Sequence, residues 1–155
     1  MSRPSWDDYY MGLCVEIAKR SKDRSTQVGA LLRGPDNEIR TTAYNGFPRG
    51  VNDDVESRHE RPAKYFYTEH AERNIFYNCA RVGIPSKGCT LYVTSIPEPL
   101  PICAECARAI IQSGVIEVVV GSITPPERWK DSVIAALEML EEAGVKIKIY
   151  KGELK

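Results

Sequence analysis

Tyr9, Tyr10, Leu13, Cys14, Ile17 and Ala18 recur at three- and four-residue steps, which places them on one face of a helix running to about Ser21. Ser5 followed by Asp8 has the spacing of an N-terminal cap for that helix. Residues 28–33 and Ile39–Tyr44 read as strands, and the turn-forming run Gly34-Pro35-Asp36-Asn37 between them predicts a hairpin. Periodicity then lapses from 47 to 67, a polar, Arg-rich loop of a length that is more often functional than idle. A second helix spans 69–82 and is ended by Gly83 and Pro85. Thr90–Ile96 is β-rich, and a proline-heavy connection from Pro97 to Pro101 leads to a helix over 103–113 that Gly114 stops. Residues 116–121 are apolar on both faces apart from Glu117, as expected of a central parallel strand. A helix over 128–143, closed by Gly144, and a last strand over 145–150 complete the pattern.

The order is α-β-β-α-β-α-β-α-β. Its second half is a succession of βαβ units, whose crossovers should be right-handed and whose strands should be parallel. The expected fold is α/β, a three-layer α-β-α sandwich around a mixed five-stranded sheet, as one domain over 1–155.

Composition narrows the function classes. The 155 residues carry 21 Lys and Arg against 21 Asp and Glu, and 43% are hydrophobic. That describes an ordinary globular chain and excludes collagen-like, low-complexity and disordered classes. No apolar run is long enough to cross a bilayer. The first eight residues lack the apolar stretch of a secretory signal and include two acids, so a cytoplasmic protein is expected. Zero net charge also argues against a polynucleotide partner, which calls for a basic excess, and favours a small anionic or neutral ligand. The odd set of cysteines, at 14, 79, 89, 103 and 106, points to reduced thiols with structural or metal-binding roles.

Two short motifs carry the candidate chemistry: His70-Ala71-Glu72 and Cys103-Ala104-Glu105-Cys106, each at a predicted helix start. Each alone is weak, but together they resemble the zinc deaminase signature of His-x-Glu followed by Pro-Cys-x-x-Cys, here with Ile102 between the proline and the first cysteine. Cysteines three apart in a first helical turn share a face and can grip one ion. The helix N-terminus further favours their thiolate forms. With His70 as a third ligand, a tetrahedral zinc keeps one position for water and can lower that water's pKa to about 7. Glu72, two residues past the histidine, is suited to carry protons. The competing readings are an inert structural zinc pair and a thioredoxin-like dithiol. The first lacks a fourth ligand, because Cys79 lies about half a turn round its helix from His70. The second has no use for a His-x-Glu partner. Cys14 and Cys89 read as buried thiols, and His59 as a solvated loop histidine.

Over most of its length the chain resembles the deoxycytidylate (dCMP) deaminases of the cytidine-deaminase-like fold. The resemblance rests on Arg20-Ser21-Lys22-Asp23, Gln27-Val28-Gly29-Ala30, Tyr44-Asn45-Gly46-Phe47-Pro48, Asp53-Asp54, the two metal motifs, and Ile110-Ile111-Gln112-Ser113-Gly114. It implies hydrolytic deamination of dCMP to dUMP with release of ammonia, one catalytic Zn2+ on His70, Cys103 and Cys106, and Glu72 as proton shuttle. It places Asn45 and Ala71 near the base and sugar. Lys22, Arg24, Ser25, Thr26 and Arg128 become candidates for the 5′-phosphate, with Trp129 beside them against phosphate or base. It further implies a homohexamer or other homo-oligomer, activated by dCTP and inhibited by dTTP, with Mg2+ accompanying the triphosphate. Tyr44, Gly46, Asn52 and Asp53 are the candidate effector contacts. The chain departs from the family in Ala43, where a glycine commonly stands. It also departs in Ile102, which separates the usual proline from the first metal cysteine within a longer connection. A substrate range widened to dCTP or CMP, a tRNA or DNA deaminase, and a catalytically silent zinc module that senses nucleotides are the alternatives.

Overall fold

The Ser5 hydroxyl accepts the Asp8 N–H at 3.1 Å and so caps α1 (Trp6–Ala18), whose first turn also carries the favourably placed Asp7 and Asp8. In the computed structural model, which describes residues 2–152, this helix ends three residues earlier than its apolar spacing predicts. Ser21 is the reason: nearly buried, it turns its hydroxyl to the Asn45 carbonyl oxygen at 2.8 Å and accepts the Asp23 N–H.

Five strands form one mixed sheet, as expected. β1 (Gln27–Arg33) pairs antiparallel with both β2 (Ile39–Tyr44) and β3 (Thr90–Ile96). β4 (Glu117–Val120) and β5 (Lys146–Ile149) add in parallel, giving the order β2-β1-β3-β4-β5. Because strand side chains alternate, each central strand feeds two cores. Leu31, Tyr92 and Val119 face α1 and pack on Tyr10, Met11 and Cys14. Leu32, Leu91, Val93, Val118 and Val120 face the opposite layer. That layer contains α3 (Ala71–Val82), α4 (Ala104–Gln112) and α5 (Lys130–Glu142), anchored by Ile75, Ile110 and Leu140. Each large aliphatic side chain buried this way contributes about 1.5–3 kcal/mol.

Gly29 is where α1 crosses the sheet. A Cβ there would stand 2.0 Å from the Cys14 carbonyl oxygen, so only glycine permits the approach. Gly83 ends α3 in the left-handed region at φ 74°, where its freedom from a Cβ is again needed.

The stretch 47–67 is less irregular than its pattern suggests. It contains a 3₁₀ turn at Glu56–Arg58 and the one-turn helix α2 (Lys64–Tyr67), both too short for periodicity to reveal. His59, expected in solvent, stacks on Phe47 at 4.8 Å between ring centres. The helix expected from 128 is a 3₁₀ turn at Glu127–Trp129 followed by α5. Among the described residues no helix is long and apolar enough to cross a membrane.

Candidate active site

α3 and α4 both begin with a residue that cannot cap. The N-cap positions are His70 and Cys103, in extended conformation, and neither side chain makes a capping hydrogen bond. Their side chains turn toward each other instead. His70 Nδ1 lies 3.3 Å from Cys106 Sγ and 3.6 Å from Cys103 Sγ, and the three atoms all lie within 4.8 Å of one another. A tetrahedral zinc with ordinary Zn–N and Zn–S bonds holds its nitrogen and sulfur ligands about 3.6 Å apart. The donor set therefore fits zinc in both chemistry and spacing. Among the described residues it is the only cluster of three or more His, Cys, Asp or Glu whose ligand atoms lie close enough together to hold a metal.

The electrostatics follow from this convergence. The thiol of Cys106 bonds to Cys103 and, with His70 assisting against the cost of burial, brings the Cys103 pKa down to about 4. The same bond, together with burial, pushes the Cys106 thiol up. His70 is raised by its bond to Cys103. Glu72 is 7% exposed, and burial pushes its carboxyl up; its side chain reaches the Cys106 thiol. Cys79 is buried in the core behind α3, and Cys14 and Cys89 are buried too, in keeping with structural thiols.

A cavity of about 280 Å³ opens over this cluster, with His70, Glu72 and Cys103 on its wall. Of the residues expected near substrate, Ser25, Thr26, Asn45 and Arg128 line it, as does Trp129. Asn45 is held firmly: its Oδ1 accepts the Val28 N–H at 2.8 Å and its Nδ2 donates to the Thr26 carbonyl at 2.9 Å. Ala71 is fully buried at the first position of α3. Lys22 and Arg24 lie elsewhere. Lys22 pairs with Asp53 at 2.8 Å, and Arg24 pairs with Glu56. Beside Arg128 and Arg73, the long loop brings two further cationic groups to the cavity wall, Arg61 and Lys64, neither singled out by the sequence. Lys64 is held by a largely buried ion pair with Asp23 at 3.2 Å, and Asp23 in turn accepts the Ser25 and Thr26 N–H groups. Leu100 and Ile102 complete the rim, where the Ser95 hydroxyl folds the proline-rich connection by donating to the Glu98 carbonyl and accepting the Leu100 N–H.

A second depression of about 350 Å³ adjoins the first and is bordered by Lys22, Tyr44, Gly46, Arg49, Asp53 and His59. Asp23, Asn45 and Thr68 form a wall common to both. Asn52 is not on that wall; its Oδ1 accepts the Asp54 N–H at 3.0 Å.

Comparison with known proteins bears on this geometry. The family model for the cytidine and deoxycytidylate deaminase zinc-binding region matches residues 4–122. Deoxycytidylate deaminase of Homo sapiens is 37% identical over 147 residues, covering 90% of this chain and 76% of that protein. A probable deoxycytidylate deaminase of Drosophila melanogaster is 38% identical over 153 residues, covering 92% and 71%. The crystal structure of dCMP deaminase from cyanophage S-TIM5 in complex with dCMP and dUMP superposes with a TM-score of 0.74 at 22% identity, over 97% of this chain and 100% of that one.

Proposed function

The chain belongs to the cytidine and deoxycytidylate deaminase zinc-binding family, and from that premise we propose that it converts dCMP and water to dUMP and ammonia. The observation that carries the reading is the meeting of His70 Nδ1 with the Cys103 and Cys106 sulfurs beneath a cavity that also presents Glu72. A zinc ion on those three ligands supplies Lewis acidity and a water activated near neutral pH. Glu72 would take one proton from the attacking water and deliver it to N3 of the cytosine ring, then take the remaining proton of the new C4 hydroxyl and deliver it to the amino nitrogen, which leaves as ammonia as the C4 carbonyl forms. Its nearly complete burial keeps bulk water from competing for these protons. Arg61, Lys64 and Arg128 offer positive charge to the 5′-phosphate, and the Ser25 and Thr26 hydroxyls offer hydrogen bonds. Asn45, locked by the backbone on either side, orients base and sugar.

The same reading extends to dCTP as activator and dTTP as inhibitor at the second depression, where Arg20, Lys22 and Arg49 suit a polyphosphate, whose own oxygens would carry the accompanying Mg2+. It extends also to a homohexamer in the cytoplasm.

The test is a panel of dCMP, CMP, dCTP and deoxycytidine, followed by the cytosine-to-uracil absorbance change, with and without dCTP or dTTP. dCMP should be deaminated fastest. Equal rates on deoxycytidine would reject the phosphate contacts, and faster turnover of dCTP would reassign the substrate. Glu72→Gln should retain zinc and lose about 10²–10⁴-fold in turnover.

A further inference from the structure

Arg73 follows Glu72 directly, and its guanidinium joins the two helix starts that carry the metal ligands. Its Nη2 lies 2.6 Å from Glu69 Oε1, and its Nη1 lies 2.5 Å from Glu105 Oε2. Glu69 is itself fixed at two levels. Its Oε1 accepts the His70 N–H at 3.0 Å, and its backbone exchanges both hydrogen bonds with Gly46. Glu105 stands in the first turn of α4, between Cys103 and Cys106. One side chain thus ties the residue that holds the histidine to the residue between the two cysteines.

We propose that Arg73 is a positioning residue for the metal, a clamp that sets the distance between His70 and the cysteine pair. The inference rests on reading His70, Cys103 and Cys106 as zinc ligands. Three features favour it over an incidental surface ion pair. First, the Arg73 side chain is only 20% exposed and that of Glu69 24%, so this pair escapes much of the screening that weakens exposed ones. Second, the planar fork reaches two carboxylates on different elements at once, which a lysine ammonium on a flexible stem cannot reproduce. Third, its Nε is buried without a protein partner, so the side chain is held in place by the two carboxylates even though one donor goes unmet. Arg73 also borders the cavity, with each Nη engaged by one carboxylate.

The experiment measures metal binding rather than turnover. Zn2+ affinity is read by competition with a chromophoric chelator, and Co2+ loading gives the ligand-field and thiolate charge-transfer spectrum, for wild type, Arg73→Met, Arg73→Lys, Glu105→Gln and the Arg73→Met/Glu105→Gln double variant. The methionine and glutamine variants should bind Zn2+ about 10–100-fold more weakly, the usual cost of losing an outer partner of a metal site. Their Co2+ spectra should shift, and the double variant should be no weaker than Arg73→Met. Arg73→Lys should recover little. Wild-type affinity and an unchanged spectrum in Arg73→Met overturn the clamp, as does full recovery in Arg73→Lys, which would mean that charge alone suffices. If Arg73→Met does not fold, Glu105→Gln, at a side chain 58% exposed, decides the matter by the same readings. A wild-type protein that binds no metal overturns the ligand assignment itself, a result distinct from a metal-binding wild type with unaffected variants.

Discussion

The Ser132 hydroxyl accepts the backbone N–H of Ala104 at 2.9 Å, so α5 caps α4. Helices ordinarily cap themselves with Ser, Thr, Asp or Asn at this position. Cys103 cannot do so, because its sulfur faces His70. The cap is therefore borrowed from a residue 28 positions away, and the Cys103 sulfur is left to face His70 and Cys106. Ser132→Ala should lower the unfolding free energy by about 0.5–2 kcal/mol, measured by urea denaturation. A variant as stable as wild type would show that solvent satisfies the amide equally well.

Much of this architecture was legible because its causes are local. The period-two and period-3.6 runs mark all five strands and the four longer helices, and the ligand types in His70-Ala71-Glu72 and Cys103-Ala104-Glu105-Cys106 point to the cluster that His70, Cys103 and Cys106 form. What escaped notice depends on long-range contact. Lys22 and Arg24 looked like cavity residues because Ser25 and Thr26 are their neighbours. Asp23, however, gathers the Ser25 and Thr26 N–H groups, while Lys22 goes to Asp53 and Arg24 to Glu56. Lys64 went unremarked because a single helical turn has no periodicity to detect, and Arg61 because it stands in the irregular turn before that helix.

Asp23 should therefore matter more to nucleotide binding than the two basic residues beside it. Burial alone would raise its pKa, but the Thr26 and Ser25 N–H groups and Lys64 outweigh burial and hold the carboxyl below its ordinary value. Asp23→Asn leaves Lys64 nearly buried beside a neutral amide. Breaking a buried pair costs about 3–5 kcal/mol. Stability should fall by roughly that amount, or by less if the amide keeps its backbone bonds. The KM for dCMP should rise about tenfold or more as Lys64 and the 23–26 loop shift, equivalent to about 1.4 kcal/mol of binding. Steady-state kinetics on the folded variant test this, and an unchanged KM would detach the loop from substrate.

Gly29→Ala tests the packing of α1 against the sheet. The added Cβ would meet the Cys14 carbonyl oxygen at 2.0 Å and the Ala18 nitrogen at 2.7 Å, both backbone atoms that cannot rotate away. The helix must lift off β1, at a cost of about 3 kcal/mol or more. In a chain of this size that lowers the melting midpoint by about 6–12 °C. Circular dichroism on heating measures it, and a change of only a degree or two would mean that α1 docks with slack.

Asp7 supplies a pH dependence far from the metal. Tyr92 O–H donates to its Oδ1 at 2.7 Å, and Lys148 Nζ lies 2.5 Å from its Oδ2, so α1 is tied to both β3 and β5. Burial would raise its pKa, but Lys148 and Tyr92, with Arg33 nearby, outweigh burial and bring the carboxyl below its ordinary value. The folded chain thus binds this proton less readily than the unfolded chain. The resulting stability is fully present above the unfolded pKa of about 3.9 and is lost as pH falls through the lower folded value. Asp7→Asn should be about 1–2 kcal/mol less stable than wild type near neutral pH, toward the low end for charged hydrogen bonds because the carboxylate is partly solvated. Below about pH 4 the difference should shrink, because wild type then loses the contribution that the variant never had. Urea midpoints for both proteins between about pH 7 and about pH 3 measure it. Parallel curves across that range would show that Lys148 and Tyr92 bind a charged and a neutral Asp7 equally.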